Sequence, residues 1–361
     1  RCALAAFLRF STATIIVTSA LWKAMLWHRR KRGCGRKAGN GMSEHVYVLG
    51  SNSFSGGHFI RMLLDMGYRV TGVSRSPEAH PVFLPHLAAN GRHRNGYDFL
   101  RIDINRDMPS LLARMERDKP AYIVNFAAQG MVAESWEHPE QWLLTNTVSP
   151  VILHNKLRQY EWLSRFVQIS TPEVYGATQG MLVENTCYNP STPYAVSKAA
   201  VDMSLMCFYR AYDFPVVFTR AANVFGPCQQ LYRIVPRAVL CFLAGGILQL
   251  HGGGRSRRCF IHIEDVARAT HEIMTRSRPG SIFHIATPRI ISIRDLVFLV
   301  ADMVGVSPEK HITVAEERLG KDLAYTLDSS KLRAELDWRE QYSLEQGIED
   351  VIRWGRDNLS V

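Results

Sequence analysis

The stretch that decides the fold is VYVLGSNSFSG at residues 46–56. Its first four residues form a short apolar run that ends at Gly50, which is typical of a buried strand. A helical pattern runs from Phe59 to Met66 and stops at Gly67, a residue that commonly ends helices. Between the strand and the helix, backbone N–H groups and the positive end of the helix dipole converge on the turn. The stretch therefore predicts a binding site for an anionic group.

Strands and helices continue to alternate beyond this stretch. Further strands are predicted at 69–73, 99–102, 121–126, 166–170 and 215–219, and further helices at 111–117, 148–159 and 194–212. Such alternation indicates βαβ units and a parallel sheet. We therefore expect an α/β protein with a Rossmann-type, doubly wound parallel sheet.

The alternation breaks down after about Asn223, where glycines cluster at 245–246 and 252–254. This change predicts a second, smaller C-terminal lobe, made mainly of residues 223–361. The larger domain is expected to comprise residues 42–222.

Residues 1–41 differ from the rest in charge. They hold nine Lys or Arg and no Asp or Glu, so only +1 of the net charge of +10 belongs to the remaining chain. A nearly neutral body does not favour nucleic-acid binding. The 13 uncharged residues Phe10–Trp22 are fewer than the roughly 18–20 that cross a bilayer. We expect residues 1–41 to be translated upstream sequence or a dispensable leader. The alternative is a membrane anchor, and under both readings the body is cytoplasmic.

Cysteine and histidine usage gives no sign of a disulfide framework or a metal site. The seven cysteines never form a Cys-x-x-Cys pair, and the 13 histidines show no metal-ligand spacing. A reducing compartment and no bound metal are the expectations.

The turn at residues 50–56 is a candidate dinucleotide site. Its Gly-x-x-Ser-x-x-Gly spacing is a degraded form of the glycine fingerprint, and an ordinary glycine turn before a helix is the alternative. The candidate cofactor residues here are Gly50, Ser53, Phe54, Ser55 and Gly56.

Two residues after later strands are candidates for the adenosine end of the cofactor. Arg75 lies between two serines at the end of the second predicted strand, where a cation suits a 2′-phosphate and an acid would suit NAD. This favours NADP over NAD, although Arg75 could equally be a solvated loop residue. Asp103 follows the third predicted strand and is a candidate partner for the adenine amino group, or else a helix cap.

Tyr194 and Lys198 are four residues apart in a helical segment, so they project from one face. The Lys198 ammonium would lower the pKa of Tyr194 and bind the nicotinamide ribose, leaving a phenolate as base. Upstream, STPEVYG at 170–176 begins at the carboxyl end of a predicted strand, where open α/β sheets bind ligands. Thr171 could donate a hydrogen bond to substrate. Glu173 could be a second base or a surface carboxylate.

With these residues in view, the chain resembles the extended short-chain dehydrogenase/reductases, specifically the nucleotide-sugar 4,6-dehydratases, over roughly residues 45–355. Besides the glycine turn, the matching segments are NFAAQ at 125–129, TN at 145–146, NPSTPYAVSK at 189–198, RAANVFGP at 220–227, RCFIHIED at 258–265, ERLGKD at 317–322 and DSSK at 328–331.

The resemblance implies a nicotinamide cofactor, NAD or NADP, that stays bound and is regenerated, a nucleotide-diphosphate hexose as substrate, and a homodimer. It also implies that residues 42–222, with part of 258–288, form the dinucleotide-binding domain, and that residues 223–361 are mainly a smaller C-terminal substrate-binding lobe. It adds to the candidate cofactor residues Ile104, Ala127, Ala128, Asn146 and Ser170, together with Tyr194 and Lys198. The substrate-binding residues that it implies are Gln129, Thr171, Asn223, Arg258 and Arg318.

The reaction implied by the resemblance is transient oxidation at C4, loss of the C5 proton, loss of water from C6 and return of hydride. Tyr194 would take the 4-hydroxyl proton and Glu173 the C5 proton. One departure concerns Pro172, because the dTDP-glucose enzymes have Asp in that place. Glu173 would then act as both base and acid. The alternatives are an epimerase or reductase of the same family, and a cofactor-binding protein without catalysis.

Overall fold

The computed structural model describes residues 44–88, 96–177, 180–316 and 326–359. The leader at 1–41, the predicted substrate residue Arg318 and the segment 317–322 lie outside these residues.

Fourteen strands are described, and their bounds in chain order are β1 His45–Leu49, β2 Arg69–Ser74, β3 Tyr97–Arg101, β4 Tyr122–Asn125, β5 Arg165–Ile169, β6 Met181–Leu182, β7 Val216–Ala221, β8 Asn223–Phe225, β9 Leu248–His251, β10 Arg257–His262, β11 Ile282–Ile285, β12 Ile290–Ser292, β13 Ile312–Ala315 and β14 Thr326–Leu327.

The described α-helices are α1 Phe54–Asp65, α2 Pro85–Ala88, α3 Met108–Asp118, α4 Pro139–Leu143, α5 Ser149–Leu157, α6 Pro193–Tyr212, α7 Ile234–Leu243, α8 Ile263–Arg276, α9 Ile293–Val304, α10 Pro308–His311, α11 Ser330–Leu336 and α12 Leu344–Asn358. A π-helical turn, Leu144–Val148, joins α4 to α5, and short 3₁₀ turns include Glu134–Trp136 and Pro172–Tyr175.

The main sheet has seven parallel strands in the order β3-β2-β1-β4-β5-β7-β11. The strand order reverses between β1 and β4, the position at which doubly wound sheets bind ligands beyond their carboxyl ends. The predicted α/β, Rossmann-type fold is therefore confirmed, and the predicted glycine turn lies at this switch point.

Helices cover both faces of the main sheet, which explains why β1 is buried throughout. Val46 and Val48 pack in one core with residues of α1 and α8. Tyr47 and Leu49 point to the other face, into a core that includes residues of α3, α5 and α6.

Smaller sheets follow in the C-terminal region. β8 pairs in parallel with β10, which pairs antiparallel with β12. β9 pairs with β13, and β6 pairs with β14. A third core is built largely from α7, α9 and α12. β11 lies late in the chain but pairs with β7 at the edge of the main sheet. The boundary between residues 222 and 223 stays a prediction.

None of the helices in the described part of the chain combines the length and the apolar character needed to cross a membrane.

Candidate active site

The turn between β1 and α1 is closed by Ser53. Its Oγ donates to the Gly50 carbonyl oxygen at 2.7 Å and accepts from the Gly56 N–H at 3.0 Å, so it caps the helix. Ser53 therefore takes a helix-capping role where the usual fingerprint has a glycine.

The two glycines of the turn are required by close backbone approach. Gly50 has a φ of +80°, and a Cβ there would lie 2.6 Å from the backbone nitrogen of Ala127. A Cβ on Gly56 would lie 2.4 Å from the Gly50 carbonyl oxygen. A cradle that a single methyl group would fill is the kind of site that a pyrophosphate requires at a helix N-terminus.

A cleft opens from this turn along the carboxyl ends of β1 to β4. Eight predicted residues line it, namely Gly50, Ser53, Arg75, Asp103, Ile104, Ala127, Ala128 and Gln129. Of these, Gln129 was predicted for substrate and the others for cofactor. The predicted cofactor residues outside the lining are Phe54, Ser55, Gly56, Asn146, Ser170, Tyr194 and Lys198. Phe54 is buried in the core, which leaves its backbone as the part that could serve a ligand.

Sequence reasoning missed several cleft residues, including Asn52, Ser74, Asn105 and Thr145. The Asn52 Nδ2 donates to the Pro77 carbonyl at 2.7 Å and so fixes the loop after β2. Its Oδ1 is buried and has no hydrogen-bond partner in the described part of the chain. An orphaned acceptor beside a phosphate-type cradle fits a ligand that carries hydroxyl groups, such as a dinucleotide.

Arg75 and Asp103 have different surroundings within the cleft. Arg75 is exposed. Asp103 is half-buried, and its Oδ1 accepts from the Asn105 N–H at 2.9 Å, so part of its hydrogen-bonding capacity closes its own turn.

Asn146 connects the end of β4 to α6. It is buried in the π-helical turn, and its Oδ1 accepts from the Gln129 N–H at 2.8 Å. Its Nδ2 donates to the Gln129 carbonyl oxygen at 3.0 Å and to the Ser197 Oγ at 2.9 Å. The side chain therefore positions Gln129 at the cleft.

The N-terminus of α6 carries Tyr194 and Lys198. Thr192 caps this helix by accepting from the Ala195 N–H at 3.2 Å. Ser135, which is fully buried, accepts from the Tyr194 N–H at 3.2 Å. Tyr194 is half-buried, so its position on the helix is fixed while part of the side chain stays accessible.

Lys198 follows Tyr194 by one helical turn and is buried. Its Nζ donates to the Ile169 carbonyl oxygen at 2.7 Å, at the carboxyl end of β5. Burial lowers the pKa of Lys198 to about 8, and the nearby Asp202 carboxylate opposes that change. A lysine with such a pKa can carry or release its charge close to neutral pH.

The segment after β5 forms the 3₁₀ turn Pro172–Tyr175, which packs against α6. Thr171 caps the turn, since its Oγ1 accepts from the Glu173 N–H at 3.3 Å. Pro172 is buried as the first residue of the turn. Glu173 is half-buried. Ser170 donates to Asp202 at 2.5 Å, a contact with α6.

The predicted substrate residues beyond 222 lie on neighbouring strands. Asn223 on β8 donates to the Cys259 carbonyl oxygen at 3.2 Å. Arg258 on β10 is half-buried and donates to the Arg257 carbonyl oxygen at 2.9 Å. Within the described residues, no group of His, Cys, Asp or Glu side chains could hold a metal ion.

The chain matches the family model for GDP-mannose 4,6 dehydratase over residues 47–351. It is 32% identical to a dTDP-glucose 4,6-dehydratase of Streptomyces antibioticus over 324 residues, 87% of this chain and 93% of that protein.

Solved structures agree with this match. The dTDP-glucose 4,6-dehydratase of Streptomyces venezuelae, with NAD bound, superposes with a TM-score of 0.79 at 30% identity, covering 87% of this chain and 97% of that one. A UDP-glucose 4-epimerase of Thermotoga maritima gives 0.79 at 26% identity, covering 88% and 100%. The chain therefore belongs to the GDP-mannose 4,6 dehydratase family, within the NAD-dependent epimerase/dehydratases of the extended short-chain dehydrogenase/reductase type.

Proposed function

We propose that this protein is a nucleotide-diphosphate-sugar 4,6-dehydratase that forms a 4-keto-6-deoxy sugar. The observation that carries the proposal is the packing of the turn bearing Glu173 against the helix bearing Tyr194 and Lys198. A dehydratase needs a carboxylate near C5 and C6 of the sugar, whereas a 4-epimerase does not. The fold alone does not choose between them, because the epimerase from T. maritima superposes equally well.

The cleft from the Gly50 turn to the ends of β2 and β3 is proposed to bind NAD. The N–H groups at the start of α1 would hold the pyrophosphate, and the lining around Asp103 and Ile104 would take the adenosine. When bound, the nicotinamide supplies the transient oxidation at C4 and the later return of hydride. The sequence-based preference for NADP rested on Arg75. It is not supported, since the solved dehydratase from S. venezuelae has NAD bound.

Tyr194 is proposed to take the proton of the sugar 4-hydroxyl. The Lys198 ammonium, held by the Ile169 carbonyl, provides the positive charge that stabilises the resulting phenolate. Because Lys198 is almost fully buried, this charge is screened little by solvent.

Glu173 is proposed to remove the C5 proton, which the 4-ketone makes acidic. Pro172 offers no proton at the neighbouring position, so the same carboxyl group would protonate the departing C6 hydroxyl. Thr171 already accepts one hydrogen bond from the Glu173 N–H, and its own O–H can still donate to a substrate oxygen.

The residues proposed to bind the nucleotide sugar are Gln129, Asn223, Arg258 and Arg318, with Arg258 at the diphosphate.

A homodimer is also proposed, since the helices α4, α5 and α6 and the π-turn between α4 and α5 expose apolar side chains. These are Leu143, Leu144, Val148, Ile152, Val196 and Met203. Leu144, Val148 and Ile152 recur every four residues and so form one stripe.

The test is incubation of the protein with GDP-, UDP-, dTDP- and CDP-hexoses in deuterated water. A 4-keto-6-deoxy product with deuterium at C5 supports the dehydratase. A hexose returned with only inverted stereochemistry supports the epimerase instead. Bound cofactor without any product supports the cofactor-binding protein.

A further inference from the structure

A buried ion pair joins the helix that carries Tyr194 and Lys198 to β7. Asp202 follows Lys198 by one helical turn, and its Oδ2 lies 3.0 Å from a guanidinium nitrogen of Arg220 at the end of β7. Both side chains are fully buried. Burial of a full ion pair is costly unless its geometry and hydrogen bonds compensate, so such a pair needs an explanation.

Asp202 reaches the candidate active site directly. Its Oδ2 also accepts from the Ser170 Oγ at 2.5 Å, in the segment that continues to Thr171 and Glu173. Its Oδ1 is buried, and no donor in the described part of the chain reaches it. One carboxylate oxygen thus accepts two hydrogen bonds, whereas the other accepts none from the described residues.

Arg220, which pairs with the Asp202 carboxylate, also contacts two further segments of the chain. It donates to the Tyr188 hydroxyl at 3.1 Å and to the Asn185 carbonyl oxygen at 3.0 Å. Its guanidinium also lies 4.5 Å from the ring centre of Tyr175. The segment before α6 and the turn after β5 therefore both pack on one cation.

The ion pair also changes the charge that surrounds Lys198. Lys198 and Arg220 are two buried cations, and Asp202 is the one fully buried carboxylate that contacts either of them among the described residues. Without Arg220, the Asp202 carboxylate would face Lys198 with its charge unneutralised. Without Asp202, nothing in the described part of this network would offset the burial that drives Lys198 to lose its proton.

We propose that Asp202 and Arg220 are positioning residues that together set the charge around the Tyr194–Lys198 pair and fix the turn bearing Glu173. This rests on the proposed function, which makes Tyr194 the base. Removal of the Asp202 charge should let Lys198 lose its proton and so oppose ionisation of the Tyr194 phenol, whereas removal of the Arg220 charge should keep Lys198 protonated and favour it.

Other groups packed around this network are unchanged by these substitutions. They are Glu173 and Tyr175 from the turn after β5, Glu184 and Tyr188 from the segment before α6, and His284 from β11. Tyr175 donates to or accepts from the His284 Nε2 at 2.8 Å, and burial lowers the pKa of His284 to about 4, so this histidine is neutral above pH 5.

The test is a spectroscopic titration of Tyr194 in the full-length protein saturated with NAD. The phenolate absorbance of each variant is measured against the same variant carrying Tyr194→Phe, which removes the signal of the other tyrosines. We expect Asp202→Asn to raise the titration midpoint of Tyr194 by about one pH unit and Arg220→Met to lower it by about as much. Asp202→Glu, which keeps the charge, should stay near the wild type.

Two further variants guard against a merely structural effect. The double variant Asp202→Asn with Arg220→Met replaces the pair by neutral groups, so it should fold and return the midpoint to near the wild-type value. Asp118→Asn is the matched control, because Asp118 is a half-buried residue whose carboxylate pairs with Arg114 and Tyr47 at the end of α3. It should lower stability without moving the midpoint.

Equal midpoints in all variants, or shifts of the same sign for Asp202→Asn and Arg220→Met, would overturn the proposal. The titration needs no sugar substrate. Opposite shifts without any product from the hexose panel would therefore keep the charge assignment and reject the dehydratase. Turnover of a hexose with unmoved Tyr194 midpoints would keep the dehydratase and reject the charge assignment.

Discussion

Replacement of Gly50 by alanine tests whether the cradle between β1 and α1 is a cofactor site or an ordinary turn. The new Cβ would lie 2.6 Å from the Ala127 nitrogen and 2.7 Å from the Phe126 carbonyl carbon. Both are backbone atoms, so neither can rotate away, and the end of β4 would have to move from the end of β1. That movement would distort the cleft that these two strands share.

The expected loss of folding stability in Gly50→Ala has two contributions, and the variant Gly67→Ala measures one of them alone. A positive φ at a residue with a side chain costs about 1–2 kcal/mol, and forced overpacking adds about 1–3 kcal/mol. Gly67 has a φ of +82°, close to the +80° of Gly50, but a Cβ there meets nothing within 4 Å. Gly67→Ala should therefore lose only the first part, and Gly50→Ala should lose both.

The assay combines urea unfolding with calorimetric titration of NAD. We expect Gly67→Ala to bind NAD like the wild type. Gly50→Ala should be less stable than Gly67→Ala by about 1–3 kcal/mol and should bind NAD at least about tenfold more weakly, a loss of about 1.4 kcal/mol. Equal stability and equal NAD affinity in the two variants would refute the reasoning.

Three further predictions concern Lys198, the dimer and Arg75. Because burial lowers the pKa of Lys198 to about 8, the unfolded chain binds more protons than the folded one between pH 8 and 10.5, so stability relative to Lys198→Met should rise over that range by up to about 3 kcal/mol in urea unfolding. A stability difference between the wild type and Lys198→Met that stays constant over this pH range would contradict the lowered pKa of Lys198. Ile152→Glu should shift sedimentation from dimer to monomer, whereas Ile247→Glu, at a side chain that is somewhat more exposed, should leave the dimer intact. If both variants sediment as dimers, the proposed interface is rejected. Arg75→Ala should change the Kd for NAD less than about twofold, and a wild type that prefers NADP through Arg75 would overturn the choice of NAD.

The main sheet could be predicted from sequence because its strands are short apolar runs followed by helical periodicity. The runs at Val46–Leu49 and Phe166–Ser170 correspond to β1 and β5, buried between two helical layers. Part of 258–288 was expected to join the dinucleotide-binding domain, but the pairing of its strand β11 with β7 has no local signal, because the two strands are far apart in the chain. The short strands of the C-terminal region likewise depend on distant partners rather than on local pattern.

The candidate site likewise contains residues that have a local sequence signal and residues that have none. Tyr194 and Lys198 could be found because helical spacing places them on one face. Asn52 carries no periodic signal, and its importance comes from contacts with the loop after β2. Asp202 had a usable signal, an acid one turn after Lys198 within the apolar run AAVDMSLM at 199–206, but its partner Arg220 comes from another strand.

The central claim is that Glu173 removes the C5 proton of a nucleotide-linked hexose. Its most direct test compares the wild type with Glu173→Gln in deuterated water, using the hexose that the wild type accepts. Glu184→Gln is the matched control, because that half-buried carboxylate is engaged by the His284 N–H at 2.8 Å.

We predict that Glu173→Gln binds NAD normally but loses deuterium incorporation at C5 and 4-keto-6-deoxy product by about 10²–10⁴-fold, while Glu184→Gln keeps both within about tenfold. Undiminished C5 exchange in the Glu173→Gln protein would contradict the account.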